Sequence, residues 1–182
     1  MSTSSSEAVD ALAGRVRAVH RAFPTGVTVV TTSVGGRPYG LAVNAFASVS
    51  LDPPTLLVCV ARSAVTHAHL LGAEHVVVNV LSHRQRDVAA VFARSGGDKF
   101  AQLAWRPGAT GGPVLDGVAG HFEMRVDERL SVHTHTIFLG TVVEAAASGL
   151  APLVYLGGRF HDGAELPPAL EAAGGIDRPA VA

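Results

Sequence analysis

Charged residues are scarce in this sequence, and neither sign predominates. They make up 16% of the 182 positions and leave a formal net charge of −1, so no basic surface points to a nucleic-acid partner. No apolar run reaches the roughly 18 residues that a membrane span needs, and we expect neither a membrane segment nor a signal peptide. Because hydrophobic residues nevertheless make up 48% of the chain, we expect an apolar homo-oligomer interface.

Cysteine and the common catalytic motifs are scarce as well. Cys59 is the single cysteine, which excludes an intrachain disulfide and fits a reducing, cytoplasmic compartment. It lies inside an apolar run, and burial there would make the thiol inert rather than nucleophilic. The sequence contains no Gly-x-Ser-x-Gly elbow, no Walker loop and no Gly-x-Gly-x-x-Gly loop, so a dinucleotide would have to bind without a Rossmann unit.

What the sequence does contain is a series of short β-type segments separated by turns. Two consecutive glycines, Gly35 and Gly36, tolerate the positive φ that a hairpin turn demands. Gly140, inside a later apolar segment, suggests a bulge. The segment 121–126 alternates between apolar and polar residues, which predicts a half-exposed strand. The predicted strands cover residues 27–32, 37–60 with a break at 52–54, 76–81, 121–126 and 137–143, and a closing hairpin covers 153–161.

Three helices are predicted between these strands. Apolar residues at helical spacing predict a first helix over 11–23. Ser63 is placed to cap a short helix that reaches Leu71, and Ser82 with Gln85 has the form of a capping box for a helix over 85–93. We expect residues 1–10 to be disordered, residues 11–162 to form one domain, and residues 163–182 to form a flexible tail. The mixture indicates a mainly β fold with a few helices, as a closed or split antiparallel barrel.

The stretch from Arg37 to Val60 carries more small polar residues than a purely structural strand needs. Such a strand can bury one face and present Asn44, Ser48 and Ser50 to a polar, flat ligand. Just beyond it, Ser63 stands at a predicted helix N-terminus, where free N–H groups can hold a phosphate. A helix that is merely capped there is the competing interpretation.

Histidines are the other candidate group. His133 and His135 share one face of an extended segment, with His121 and Glu123 on the neighbouring strand. A metal site from these residues is conceivable, but it would need a further ligand, and ligand counting alone does not support one. We therefore predict no metal.

Several motifs, in order, resemble the flavin reductase family. The most specific is Gly-Leu-Ala-Val-Asn-Ala-Phe-Ala-Ser-Val-Ser-Leu-Asp-Pro-Pro at 40–54. The others are Cys-Val-Ala-Arg-Ser at 59–63 with Thr66, Val-Asn-Val-Leu at 78–81 with Gln85, Phe92, Asp-Lys-Phe at 98–100, His-Thr-Ile-Phe-Leu-Gly at 135–140, and Pro-Leu-Val-Tyr at 152–155. The resemblance covers about residues 18–161.

The resemblance implies an FMN-binding split β-barrel with Greek-key-like antiparallel strands, assembled as a homodimer. It implies hydride transfer from NADH or NADPH to FMN or FAD, and delivery of reduced flavin to a flavin-dependent oxygenase component. His135 would face the nicotinamide nucleotide as the catalytic residue. The implied flavin-binding residues are Asn44, Ala45, Phe46, Ala47, Ser48, Ser50, Cys59, Val60, Ala61, Arg62, Ser63, Thr66, Lys99, Phe100 and Tyr155.

One departure from the family pattern falls beside the catalytic candidate. The family usually has Gly-Asp before this histidine, whereas this sequence has His133 and Thr134. The missing carboxylate bears on how His135 is oriented and on the choice between NADH and NADPH. Two alternatives stay open: a flavin-binding barrel without catalytic activity, and an enzyme like pyridoxine-phosphate oxidase on a related barrel.

Overall fold

The computed structural model describes residues 3–166, and the statements below concern that part of the chain. Its helices are α1 (Thr3–Ala22), α2 (His67–Leu71) and α3 (Arg86–Ala93). Its strands are β1 (Thr25–Gly26), β2 (Thr28–Val34), β3 (Arg37–Val43), β4 (Phe46–Leu51), β5 (Pro54–Ala61), β6 (His75–Val80), β7 (Trp105–Pro107), β8 (Pro113–Leu115), β9 (Gly120–Val132), β10 (His135–Ala147), β11 (Leu153–Leu156) and β12 (Arg159–Asp162). None of the described helices combines the length and the apolarity that a membrane crossing requires.

A seven-stranded antiparallel sheet forms the body of the fold, in the order β3-β2-β6-β9-β10-β5-β4. Its two edge strands, β3 and β4, are consecutive in the chain and are joined by only Asn44 and Ala45. The sheet must therefore curl until its edges meet, although no ladder closes it. The Cys59 N–H donates to the Ala45 carbonyl at 2.9 Å, which holds the corner against β5. This architecture confirms the predicted split barrel.

The Asn44-Ala45 corner corrects one prediction about local structure. The sequence predicted a single strand from Arg37 up to the break at Asp52, but the chain leaves β3 after Val43 and re-enters the sheet at its opposite edge as β4. Small residues follow the corner on β4, which the strand pattern alone could not distinguish from a continuous strand.

Apolar side chains fill the inside of the curl. On β5, Leu56, Val58 and Val60 are almost completely buried, whereas the alternate residues, such as Cys59, are half-buried. This follows from the period of two along a strand, and burying each such aliphatic side chain stabilises the fold by about 1.5–3 kcal/mol. A second apolar cluster, which includes Phe92 and Leu153, lies between α3 and the β11–β12 hairpin.

Several predicted turns are confirmed. The β2–β3 and β11–β12 hairpins turn through paired glycines with positive φ. The predicted capping box is only half formed: Gln85 Oε1 accepts from the Ser82 N–H at 3.0 Å, but the Gln85 N–H donates to the Ser82 carbonyl and not to its hydroxyl, and α3 begins only at Arg86. At Gly140 the pairing of β9 with β10 shifts register, and a Cβ there would lie 2.1 Å from the Arg125 carbonyl oxygen. Only glycine fits this bulge.

Disorder or flexibility was predicted for both ends of the chain. Helix α1 begins at Thr3 rather than at residue 11, so it includes residues 3–10, for which disorder was predicted. The predicted flexible tail at 163–182 lies outside the described residues from position 167 onward.

The prediction that β9 is half-exposed was wrong for its first residues. His121 is 7% exposed and Glu123 only 1%, because the loop at 108–112 covers this side of the strand. Glu123 Oε1 accepts from the Ala109 N–H at 2.8 Å, and Oε2 accepts from the N–H and the hydroxyl of Thr110 at 2.7 and 2.6 Å. Burial by itself raises the pKa of Glu123. The hydrogen bonds from Thr110 and Ala109 and the nearby His121 lower it by more than burial raises it, so the pKa lies below its ordinary value.

Candidate functional site

The largest concentration of predicted site residues lies in one open cleft at the split of the barrel, called the first cleft below. Its volume is about 490 Å³. One wall is the end of β3 with the corner, the other is the end of β5 with the loop after it, and the segment after α3 completes it. Nine predicted residues line it: Asn44, Ala45, Cys59, Val60, Ala61, Ser63, Thr66, Lys99 and His135.

The β5 wall consists of extended strand with small side chains. Cys59 and Ala61 lie on the strand face that the core does not use, and both are half-buried. Burial raises the pKa of the Cys59 thiol, so at neutral pH the side chain is an uncharged, weakly polar surface rather than a nucleophile. A surface of this kind suits contact with a planar ring.

The loop from Arg62 to Thr66 corrects the predicted capped helix. The chain makes two successive turns there, through Ala64 N–H to Ala61 and His67 N–H to Ala64, and α2 begins only at His67. Ser63 is exposed and caps nothing. Thr66 precedes α2, but its hydroxyl donates to the Gly40 carbonyl at 3.0 Å instead of capping the helix. With only five residues, α2 gives no helix-terminus argument for a phosphate.

Lys99, the only lysine in the sequence, supplies positive charge at this end of the cleft. Its Nζ donates to the Gly40 carbonyl at 3.3 Å and to the Phe92 carbonyl at 3.2 Å. The side chain is half-buried, and burial lowers its pKa below the ordinary lysine value. The Gly40 carbonyl therefore gathers the Thr66 hydroxyl and the Lys99 ammonium at one point.

His135 lies at the other end, where the β9–β10 hairpin turns. His133, in the turn, has a positive φ of 47°, a conformation that residues with a side chain seldom adopt. The Thr134 hydroxyl lies 2.9 Å from Nδ1 of His135. The turn is tied to the loop after β5, because the Arg62 N–H donates to the Thr134 carbonyl at 2.9 Å and the guanidinium lies 3.4 Å from the His133 carbonyl.

The buried side of the same loop carries a histidine that no sequence pattern singled out. His67 Nε2 lies 2.8 Å from the Thr136 hydroxyl, and the ring packs edge-on against Phe138. Burial, and to a smaller extent the charge of Arg62, lower the pKa of His67. A neutral imidazole at this position joins α2 to β10 beneath the site.

Seven predicted flavin-binding residues do not line the first cleft. Phe46 turns into the core, where its ring stacks with Phe122 at 5.9 Å between centroids. Ser50 bonds locally with Asp52, and Arg62 is directed toward the hairpin turn. The other four are Ala47 and Ser48 on β4, Phe100 in an adjoining second cleft, and Tyr155 in a third cleft beside Asn44.

The wall contributed by residues 92–96 was missed by the sequence reasoning. The only local signal was the end of α3 followed by Gly96 and Gly97, both with positive φ. Nothing in that pattern indicates that the segment folds back over β3. The segment is placed over β3 by contacts between distant parts of the chain, and such contacts leave no pattern in the local sequence.

The histidines of the conceivable metal site do not come together. His121 lies at the start of β9, whereas His133 and His135 lie at the turn where β9 ends, about 35 Å away at ~3.3 Å per residue. Within residues 3–166, no group of three or more histidine, cysteine or acidic side chains is placed to hold a metal ion.

Comparison with known proteins shows the family. Residues 19–164 match the family model described as a flavin reductase like domain. This chain belongs to the flavin reductase family. The stachydrine N-demethylase reductase subunit Stc3 of Rhizobium meliloti is 41% identical over 88% of this chain and 70% of its own length. The FMN reductase (NADH) SmoA of Agrobacterium fabrum is 42% identical over 76% of this chain and 79% of its own.

A solved structure of the family shares the fold as well. The NADH:FAD oxidoreductase SgcE6 of Streptomyces globisporus, in complex with NAD and FAD fragments, superposes with a TM-score of 0.78 and 36% identity, covering 86% of this chain and 93% of that one. Two further curated relatives are longer, and this chain spans 45% of the length of each.

Proposed function

We propose that this protein transfers a hydride from NADH to FMN or FAD and releases the reduced flavin to a partner oxygenase. The observation that carries the proposal is the first cleft, which brings an extended strand with small side chains, hydroxyl and ammonium groups, and His135 into one opening between the edges of the barrel. Relatives that share at least 40% identity are named as an NADH-dependent FMN reductase and as the reductase subunit of a demethylase.

The flavin ring would lie against Cys59, Val60 and Ala61, with the Asn44-Ala45 corner beside it. The phosphate end would lie toward Ser63 and Lys99. In the described part of the chain, the N–H groups of Val65 and Thr66 donate to no backbone carbonyl, so they are available to an anion. The Thr66 hydroxyl already donates to Gly40, and it can therefore accept a hydrogen bond but not supply a second one.

The protein positions the nicotinamide and flavin rings and supplies no reactive side chain. When both are bound, the nicotinamide supplies a hydride and the flavin ring accepts it. Holding two rings at reacting distance can account for much of the acceleration, and no general base is required. His135, held through Nδ1 by the Thr134 hydroxyl, lies at the mouth of the cleft. We assign it to positioning the nicotinamide.

The remaining predicted contacts of the flavin are proposals of the same kind. Residues Ala47, Ser48 and Ser50 on β4 would contact the flavin only beyond the first cleft, and Tyr155 would do so through the third cleft, which shares Asn44 with the first. The side chains of Phe46 and Arg62 have protein contacts instead, so we expect them to act through the backbone or through the position of the loop.

A homodimer is proposed from an apolar stripe on α1 and the residue that follows it. Val9, Leu12, Val16, Val19 and Phe23 recur at helical spacing and are between 45% and 69% exposed. A stripe of this size on a helix that is otherwise polar favours contact with another protein surface. The family resemblance implies that this other surface belongs to a second copy of the chain. A cytoplasmic location is a separate proposal, which rests on the single cysteine, Cys59.

One assay tests the proposal. Purified protein should oxidise NADH at a measurable rate only when FMN or FAD is added, as followed by the nicotinamide absorbance in stopped flow. His135→Ala should lower the rate without changing flavin affinity, whereas the surface variant His161→Ala serves as a matched control. Flavin binding without NADH or NADPH oxidation would replace the reductase with a non-catalytic flavin-binding barrel. If flavin did not bind at all, neither reading would stand.

A further inference from the structure

The first cleft continues into a second one of similar size. The second cleft has a volume of about 540 Å³ and lies on the far side of Thr66 and Lys99. Val65, Thr66, Gly96 and Lys99 line both clefts. The two openings therefore form one groove, with the Lys99 ammonium at the point where they join.

Strand β3 forms a wall along the whole groove. Residues 41–45 line the first cleft and residues 37–40 line the second. The seven residues of β3 span about 23 Å at ~3.3 Å per residue. The order along this wall is fixed: the corner lies beside Cys59, Gly40 lies at the junction beside Thr66, and Arg37 lies at the far end. The groove is thus long, with Lys99 in the middle and Arg37 at the far end, and the second cleft also contains the Asp98 carboxylate, which accepts from the Phe100 N–H.

The second cleft has a different chemistry from the first. It contains the half-buried aromatic residues Tyr39 and Trp105 and the exposed cation Arg37. The Tyr39 ring is supported by His69, stacked at 3.6 Å between centroids and 19° between planes, and Trp105 is held edge-on by Phe100. Aromatic rings fixed in this way are typical platforms for a purine base, and the guanidinium at the far end of the groove can donate to the ring nitrogens of that base.

We propose that the second cleft binds the adenosine 5′-phosphate part of FAD, and that the chain therefore binds FAD more tightly than FMN. The inference rests on the proposed function, because it needs the flavin ring in the first cleft. A dinucleotide has its pyrophosphate between its two halves, and the junction of the two clefts has Lys99 and the free N–H groups of Val65 and Thr66. FMN would leave the far half of the groove empty.

The affinities of FAD and FMN test the proposal, as measured by fluorescence quenching on the full chain. Tyr39→Ala should weaken FAD binding about five- to 150-fold, the range for loss of base–aromatic stacking, and Arg37→Ala should weaken it about tenfold. FMN affinity should change less than about twofold in both variants, which also shows that they fold. Arg159→Ala is the matched control, because Arg159 follows the other glycine-pair turn and lies outside the groove.

AMP serves as the probe that identifies the source of the adenosine. It should compete with FAD, should bind together with FMN, and should lose affinity in Tyr39→Ala. Competition between AMP and NADH in the presence of FMN would assign the cleft to the nicotinamide nucleotide and overturn the proposal. Equal FAD and FMN affinities, unchanged in ratio by either variant, would also overturn it while leaving flavin reduction intact. Failure of FMN itself to bind would instead contradict the proposed function.

Discussion

Thr134→Val is the substitution that examines the nicotinamide side of the site most directly. Threonine and valine have the same shape and the same preference for extended backbone, so the β9–β10 turn should keep its conformation. The change removes the hydroxyl that lies 2.9 Å from Nδ1 of His135. The imidazole is exposed on its other sides, so in the variant it should sample more than one rotamer.

The magnitude follows from the energy of one hydrogen bond. A bond between neutral groups contributes about 0.5–1.5 kcal/mol, which corresponds to about a two- to twelvefold loss in kcat/KM for NADH. Thr134→Ser retains the hydroxyl and should restore most of the wild-type value. Flavin affinity should not change, because Thr134 does not line the first cleft.

Steady-state oxidation of NADH at saturating flavin, together with a flavin titration of each variant, measures these effects. The reasoning about His135 would be refuted by wild-type kcat/KM in Thr134→Val, or by an equal loss in Thr134→Ser. A parallel fall in flavin affinity would show that the hydroxyl supports the whole site and not this side chain. Thr134→Val and Thr134→Ser together also test whether the Thr134 hydroxyl takes the place of the family's carboxylate beside His135, since a hydroxyl can donate to Nδ1 or accept from it.

Three further predictions concern buried groups outside the cleft. Glu123→Gln places an amide N–H₂ against donors from Ala109 or Thr110, so the free energy of unfolding by urea at pH 7 should fall by about 1–3 kcal/mol. An unchanged urea midpoint would contradict it. The pKa of Glu123 is lower in the folded chain than in the unfolded chain. Its ionisation therefore stabilises the fold above about pH 4.3, and this stabilisation is lost as the pH falls through the lower pKa of the folded state. In that acidic range the wild type should lose stability more steeply than Glu123→Gln. The pKa of His67 is also lowered in the folded chain. As the pH falls, the unfolded chain binds a proton at His67 before the folded chain does, so stability should decline below about pH 6.5. His67→Gln should flatten that decline in thermal melts, and an identical slope in the variant would contradict this assignment to His67.

The local elements were largely predictable because each depends on neighbouring residues. The glycine pairs at 35–36 and 157–158 determine hairpins through their positive φ, and Ser82 with Gln85 forms a local turn just before α3. Gly140 could be read as a bulge because a strand interior otherwise excludes glycine. The family motif at 40–54 pointed to the family that the comparison with known proteins shows.

The errors occurred where distant parts of the chain decide the outcome. A period of two shows that His121 and Glu123 share a face, but not that the loop at 108–112 covers it. The corner at Asn44 resembles continuous strand, since small residues continue on both sides of it. Thr66 satisfies the rule for a helix cap, yet the Gly40 carbonyl competes for its hydroxyl from 26 residues away.

The sequence by itself determined the strands, the tight turns and the family, because periodicity, glycine φ preferences and motif order are local properties. Only the tertiary structure decided which polar residues meet. It joins β3, β5 and the segment after α3 into one groove, and it separates His121 from His135 by the length of a hairpin. The physical reason is that hydrogen-bond pairing between distant strands fixes the relative position of side chains, and such pairing is a property of the whole sheet and not of any one segment.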